Sequence, residues 1–194
     1  MTLFRTITAD PPWPYSAPGQ FGCTLEHRPN RDSTQNKLGS GSVARYGAMS
    51  VPDLCALPVP AADNSHLYLW FTNSFAVEAH TIARAWGFKP STIITYVKMK
   101  PDGTPSMKMG YYFRGATEHV LFAVRGKLRL QTKRAIPTAF LGPRLPHSVK
   151  PDAFYDLVQE ASPGPYLEMF ARQHRLGWES WGNQVNSTVT IEAA

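Results

Sequence analysis

The sequence is short of cysteine, of long apolar runs and of acidic residues, and each shortage removes a class of protein. Its only two cysteines, Cys23 and Cys55, form no CxxC and no His-Cys grouping. Neither a disulfide framework nor a zinc centre is therefore indicated; no metal is expected, and the composition suits a reducing cytoplasm. No apolar run approaches the ~18 residues that a membrane helix needs. Met1 leads directly into LFRTITADPPW, without a basic start and an apolar stretch, so neither secretion nor membrane spanning is expected. Acidic residues number 14 against 20 Lys plus Arg, a net charge of +6, which bears on partners only where it is concentrated. With 194 residues, 43% of them apolar, the chain can bury a substantial core, which excludes a disordered protein. One domain over residues 1–185 is expected, with a loose tail from 186 to 194.

Local patterns set the order of elements. Leu3 to Ala9 reads as a strand stopped by Asp10-Pro11-Pro12, because proline cannot continue a sheet ladder. Residues 14–48 are rich in Gly, Ser, Pro and Asn without an apolar period, the mark of a functional loop, here a lid. Ser50 caps a short helix from Val51 to Ala56, His66 to Thr72 reads as a strand covered on both faces, and Asn73 opens a helix that Gly87 stops. Thr92 to Val97 is a strand, 98–115 a second loop, and Glu118 to Val124 a strand expected to form a hairpin with Lys127 to Gln131. A helix over Asp152 to Ala161 precedes strands at Tyr166 to Ala171 and Trp178 to Trp181. Strands alternating with helices predict an α/β domain with a mostly parallel sheet and helices on both faces.

Two groups of residues carry chemistry. Asp10-Pro11-Pro12-Trp13 follows the first strand directly, and open α/β sheets bind ligands at the carboxyl ends of their strands. The prolines fix the backbone so that the Asp10 carboxylate and the Pro11 carbonyl can face one small space beside the Trp13 ring. That is a slot for a planar group bearing an NH2. Two acceptors on the hydrogens of an adenine amine favour a pyramidal nitrogen with a free lone pair, while the indole holds the base by stacking. Read alone, the tetrapeptide is equally a stiff turn carrying a core tryptophan. The second group lies at the other end: Lys150 before a helix, then Glu168, Arg172 and His174 in the pattern ExFxRxH, then Asn183 and Gln184. An acid on a parallel strand can grip ribose hydroxyls and a lysine can pair with a carboxylate. Read alone, Glu168 and Arg172 are as well a structural ion pair with His174 on the surface.

Together the two ends resemble the MT-A family of adenine-N(6) methyltransferases, named for the catalytic subunit of the messenger-RNA adenosine methyltransferase. The resemblance rests on ADPPW at 9–13, GAMSVPDLCALPV at 47–59, LYLWFTN at 67–73, EHVLFAVRG at 118–126, HSVKPDAFYDLVQ at 147–159 and YLEMFARQHRLGWESWGNQ at 166–184. It implies a Rossmann-like class I methyltransferase fold in permuted order, the catalytic motif first and the cofactor motif last, which accounts for the lack of a GxGxxG near the amino terminus. The implied cofactor is S-adenosylmethionine, with Lys150 near its carboxylate, Asp10 near its ammonium group, and Glu168, Arg172, His174, Asn183 and Gln184 around its ribose and adenine. Asp10, Pro11, Pro12 and Trp13 would hold the target base. The chain departs from the messenger-RNA enzyme in having Arg175 after Gln173-His174, where that enzyme has Asn, so the same contact is not assigned to Arg175.

The basic excess concentrates between Lys98 and Arg134. Lys98, Lys100, Lys108 and Arg114 there, with Tyr112 and Phe113 among them, suit phosphates and stacked bases. Arg28 and Arg45 add charge to the lid. A base inside a duplex cannot reach the slot, so the adenine must be single-stranded or flipped out. Sequence selectivity falls to the loops, to a second subunit or copy, or is low. The reading is thus a methyltransferase acting on adenine in nucleic acid, DNA ahead of RNA. The alternative is a catalytically silent partner subunit that only binds nucleic acid.

Overall fold

The computed structural model describes residues 2–14, 48–108, 112–146 and 149–191. In chain order these form β1 (Phe4–Ala9), α1 (Val51–Ala56), β2 (Ala61–Phe71), a 3-10 turn (Asn73–Phe75), α2 (Ala76–Ala85), β3 (Lys89–Met99), β4 (Thr117–Arg125), β5 (Ala139–Pro143), α3 (Asp152–Ala161), β6 (Tyr166–Met169) and β7 (Trp178–Trp181). The strands make one 7-stranded sheet in the order β5-β3-β4-β2-β1-β6-β7. β1 pairs in parallel with β2 and β6, β6 with β7, and β3 with β5; β4 is antiparallel to both of its neighbours, β2 and β3. Every strand except β4 therefore runs the same way. This is the mostly parallel, Rossmann-like methyltransferase arrangement that the resemblance implied.

Alternation along β2 divides the core into two layers. Leu67, Leu69 and Phe71 join Leu54 of α1 and Ala79, Ile82 and Ala83 of α2 on one face. Tyr68 and Trp70 join Phe154, Tyr155 and Val158 of α3 on the other. A central strand flanked by β4 and β1 and covered on both sides needs a continuous apolar run, which is how His66 to Thr72 reads. The Ser50 side chain accepts from Asp53 N at 3.2 Å and caps α1 as expected. No described helix is long and apolar enough to cross a membrane.

Three features depart from the reading of the sequence. Lys127 to Gln131 is not a strand, because β4 lies inside the sheet and its hydrogen bonds are taken by β2 and β3. Gly126 turns the chain instead onto the start of β2, where the Asn64 side-chain oxygen accepts from Lys127 N at 2.7 Å. β5 was not expected at all. It ends in Pro143 and lies at the sheet edge, where a strand tolerates proline. The tail is docked as far as Ile191, which is 6% exposed in the core, while Thr188 N donates to Ser180 O at 2.8 Å.

Candidate functional site

β1 ends at Ala9, so Asp10, Pro11 and Pro12 lie at the carboxyl edge of the sheet. Trp13 N donates to Pro11 O at 2.8 Å, closing a tight turn, and Met49 N donates to Pro12 O at 3.0 Å. The chain on either side of residues 15–47 is thereby tied together at this turn. Next to β1, β6 leads into Phe170, which adopts φ 61°, a left-handed conformation that is costly for a bulky residue. Ala171 N donates to Trp181 O at 2.9 Å, and the Phe170 and Trp181 rings meet edge to face with centroids 5.2 Å apart. Gly182 follows at a point where a Cβ would lie 2.3 Å from Ala171 O; only glycine permits that approach.

These segments enclose a cavity of about 330 Å³, lined by Asp10, Pro12, Met49, Phe170, Arg172, Trp181, Gly182, Asn183 and Gln184, a size suited to a small ligand. The cavity joins the amino-terminal motif to Arg172, Asn183 and Gln184 from the carboxyl-terminal one. Lys150 stands behind Asp10: its Nζ is ion-paired with the carboxylate and lies 4.6 Å from the centre of the Trp70 ring. Glu168 does not line the cavity. Its Oε1 accepts from Tyr155 OH at 2.8 Å, and its Oε2 is buried with no hydrogen-bond partner among the described residues. Burial raises the Glu168 carboxyl above its ordinary range, against the pull of Tyr155, Lys150 and Arg175. His174 is exposed and outside the cavity lining.

Trp13 is a core residue rather than an open stacking platform. It is 4% exposed, stacks on Phe75 with centroids 4.9 Å apart, and donates from Nε1 to Trp70 O at 3.1 Å. Lys98 is likewise not a phosphate contact. It is buried and ion-paired with Glu118, and Lys108 Nζ lies 3.6 Å from the same Glu118 oxygen. Burial pushes Glu118 up, but the cations of Lys150, Lys98 and Lys108 outweigh it and hold the carboxyl below its ordinary range. Lys100, Lys108, Tyr112 and Arg114 are exposed, as is Phe113 at 92%. They lie between β3 and β4 at the Asp10 edge of the sheet. Arg28 and Arg45, with nearly all of the expected lid, lie outside the described residues.

The basic run is not one surface. β4 carries the chain to the opposite edge, so Lys127, Arg129, Lys133 and Arg134 sit beyond its far end, with Arg134 paired to Glu160 at 2.5 Å. A strand crossing the whole sheet separates cations that are adjacent in sequence. Four cavity residues were not singled out from sequence: Met49, Phe170, Trp181 and Gly182. Phe170 is the F of ExFxRxH, and Gly182 directly precedes the Asn-Gln pair, so their place in the motifs was the available signal.

The MT-A70 family profile matches residues 4–184. A "Type II methyltransferase M.MunI" from Mycoplasma sp is 28% identical over 186 residues, covering 94% of this chain and 78% of the relative. An "N6-methyladenosine RNA methyltransferase MTA1" from Cryphonectria parasitica is 29% identical, covering 94% of this chain and 52% of the relative. Human "N(6)-adenosine-methyltransferase catalytic subunit METTL3" is 24% identical over 147 residues, covering 73% of this chain but 25% of that protein.

Proposed function

The chain belongs to the MT-A70 family, and we propose on that premise that it transfers a methyl group from S-adenosylmethionine to the exocyclic N6 amine of adenine in nucleic acid, in the cytoplasm. The observation that carries the reading is the cavity shared by Asp10 and Pro12 with Arg172, Asn183 and Gln184. A base-holding motif and a donor-holding motif are of use to one another only if they open onto one space. We put DNA ahead of RNA because the alignment with the type II methyltransferase covers most of both chains, whereas the RNA enzymes are covered by 52% and 25%.

The residues present fit the donor. Asp10 and Lys150 offer opposite charges to the ammonium and carboxylate of an amino acid. Phe170 and Trp181 offer ring faces and edges to a purine, and Asn183 and Gln184 offer amides to its polar edge. Glu168 Oε2 is an acceptor awaiting a hydroxyl donor. When bound, the donor supplies a methyl group on a positively charged sulfur, open to displacement by an amine lone pair.

The protein's part in the step is to present that lone pair. The Asp10 carboxylate accepts one hydrogen of the amine. The Pro11 carbonyl, already bound to Trp13 N–H at 2.8 Å, accepts the other through its second lone pair. Lys150 fixes the Asp10 carboxylate in place. The proton leaves the nitrogen after alkylation, so no strong base is required. Because Trp13 is committed to the core, the target base must be held by other groups; exposed Tyr112 and Phe113 on the loop before β4 suit that work.

The test is incubation of the protein with labelled S-adenosylmethionine and DNA or RNA oligonucleotides, followed by digestion to nucleosides. Labelled N6-methyladenine is expected, with more from DNA. Asp10→Ala is expected to abolish it while the fold persists. The competing reading of a silent partner draws on the Asp10–Lys150 pairing; salt-dependent oligonucleotide binding without donor binding or product would establish it instead.

A further inference from the structure

We infer that Arg175 and Tyr155 are positioning residues which hold Glu168 in the one orientation that leaves its Oε2 atom for a ligand. The inference rests on the donor reading of the preceding subsection and concerns residues to which that reading gives no role.

Asp152 and Tyr155 are three residues apart on α3 and so share a face of the helix. Across that face lies Arg175, from the segment between β6 and β7. Its Nη2 donates to Asp152 Oδ1 at 2.8 Å, and its guanidinium carbon lies 3.6 Å from the centre of the Tyr155 ring. The planar cation is thus stacked on the phenol and anchored at its end by a carboxylate, an arrangement that lysine cannot reproduce. Tyr155 itself is 3% exposed and wedged edge to face between Phe154 and Trp178. With its ring fixed on three sides, its hydroxyl has one direction, and there it donates to Glu168 Oε1.

One carboxylate oxygen is therefore committed to the protein and the other is not. Oε2 is buried and has no hydrogen-bond partner among the described residues. A buried acceptor left unmet costs free energy that a well-packed protein ordinarily avoids. Glu168 also lies in the β6 strand that leads directly into Phe170 and Arg172 of the cavity wall. The arrangement is economical if a ligand hydroxyl completes it. Arg175 adds a second effect: its charge, with that of Lys150, opposes the rise that burial and nearby Asp10 impose on Glu168. The stacked arginine thus opposes protonation of the acid as well as keeping it still.

The test uses Tyr155→Phe, which removes one hydroxyl and leaves the ring, and Arg175→Gln, each checked for an unchanged unfolding temperature. S-adenosylhomocysteine is titrated calorimetrically into wild type and variants, and the donor KM and kcat are measured where turnover is present. Each variant is expected to weaken binding about tenfold, the worth of one hydrogen bond to a charged group. The donor KM should rise with kcat at saturating donor unchanged, and in Arg175→Gln the acid limb of the binding profile should move to higher pH. In a Glu168→Ala background neither change should weaken binding further. Binding within twofold of wild type in both variants, or losses that persist undiminished without Glu168, overturns the inference alone. A wild type that binds no S-adenosylhomocysteine overturns the donor reading with it.

Discussion

Substituting Gly182 by alanine tests whether the cavity wall is as tightly constrained as its geometry implies. A Cβ there would meet Ala171 O at 2.3 Å, Ala171 N at 2.7 Å and the Phe170 carbonyl carbon at 3.0 Å. All three are backbone atoms and cannot swing aside as a side-chain tip would. To restore ordinary contact at ~3.5 Å, the segment after β7 must retreat by about 1 Å. That movement strains the Ala171 N to Trp181 O bond of 2.9 Å and the Gly182 N to Ser187 Oγ bond of 3.1 Å. Overpacking costs roughly 1–3 kcal/mol and a weakened hydrogen bond about 1 more, so the loss is about 2–4 kcal/mol. At roughly 2–4 °C per kcal/mol for a chain of this size, Tm should fall by about 4–16 °C. Because Phe170, Trp181 and Gly182 line the cavity, S-adenosylhomocysteine affinity should fall as well. Scanning calorimetry and titration measure both. Gly115→Ala is the control, since nothing lies within 4 Å of a Cβ at that position. A Gly182→Ala protein that melts within about 1 °C of wild type and binds as well would refute the reasoning.

Trp13→Phe removes the Nε1 bond to Trp70 O and should cost roughly 1–3 kcal/mol in urea unfolding while folded protein keeps its activity; unchanged stability with lost transfer would restore Trp13 to the base slot. His66 is buried, its ring held between Ser162 Oγ at 2.7 Å and Leu128 O at 3.2 Å, and burial lowers its pKa. The unfolded state thus takes up a proton near pH 6.5 that the folded state refuses, so stability should fall below that pH, by at most about 1.4 kcal/mol per unit from this group. His66→Gln should flatten urea midpoints measured from pH 7.5 to 5, and an unaltered slope would exclude His66 as the cause. Phe113→Ala, at a 92% exposed side chain, should leave stability within about 0.5 kcal/mol yet weaken fluorescence-monitored binding of a single-stranded oligonucleotide several-fold. Lys150→Met should destabilise the protein by stranding Asp10, and Asp10→Asn with Lys150→Met should recover most of that loss without recovering donor affinity; recovery of both would make the pair purely structural.

The sequence displayed those parts of the fold whose signal is local. Ser50 with Pro52 marks α1, and the apolar run through Leu67 to Phe71 marks a strand with two covered faces. It concealed what depends on distant partners. β4 invites a hairpin across Gly126, yet its ladder is made with strands on both sides. β5 is an edge strand with proline at its end, and edge strands carry little of the pattern that burial imposes. The site follows the same division. Asp10, Arg172, Asn183 and Gln184 are legible because polar residues in motif positions imply a ligand. Met49, Phe170 and Trp181 look like any core residue until the chain is folded. Lys98 and Trp13 were misplaced for the converse reason: a cation or an aromatic ring reads as a binding group, and only its partners, Glu118 and Phe75, show that it is already engaged.

The ion pair between Asp10 and Lys150 is the feature that stability explains least. Their side chains are only 25% and 10% exposed, so both charges have given up much of their hydration. Pairs of this kind are often no more stabilising than two apolar groups of the same volume. β1 and the segment before α3 could have met through such groups, as β1 meets α1 and α2 on the other face of the sheet. Lys150 is also shared electrostatically, since it helps to hold Glu118 down and opposes the rise that burial imposes on Glu168. One lysine near three carboxylates is over-supplied with counter-charge, so neutralising Lys150 does not by itself call for Asp10. A carboxylate held by a lysine in the wall of a cavity serves binding better than folding, and this separates the expected loss of donor affinity from the expected recovery of stability when both charges are removed.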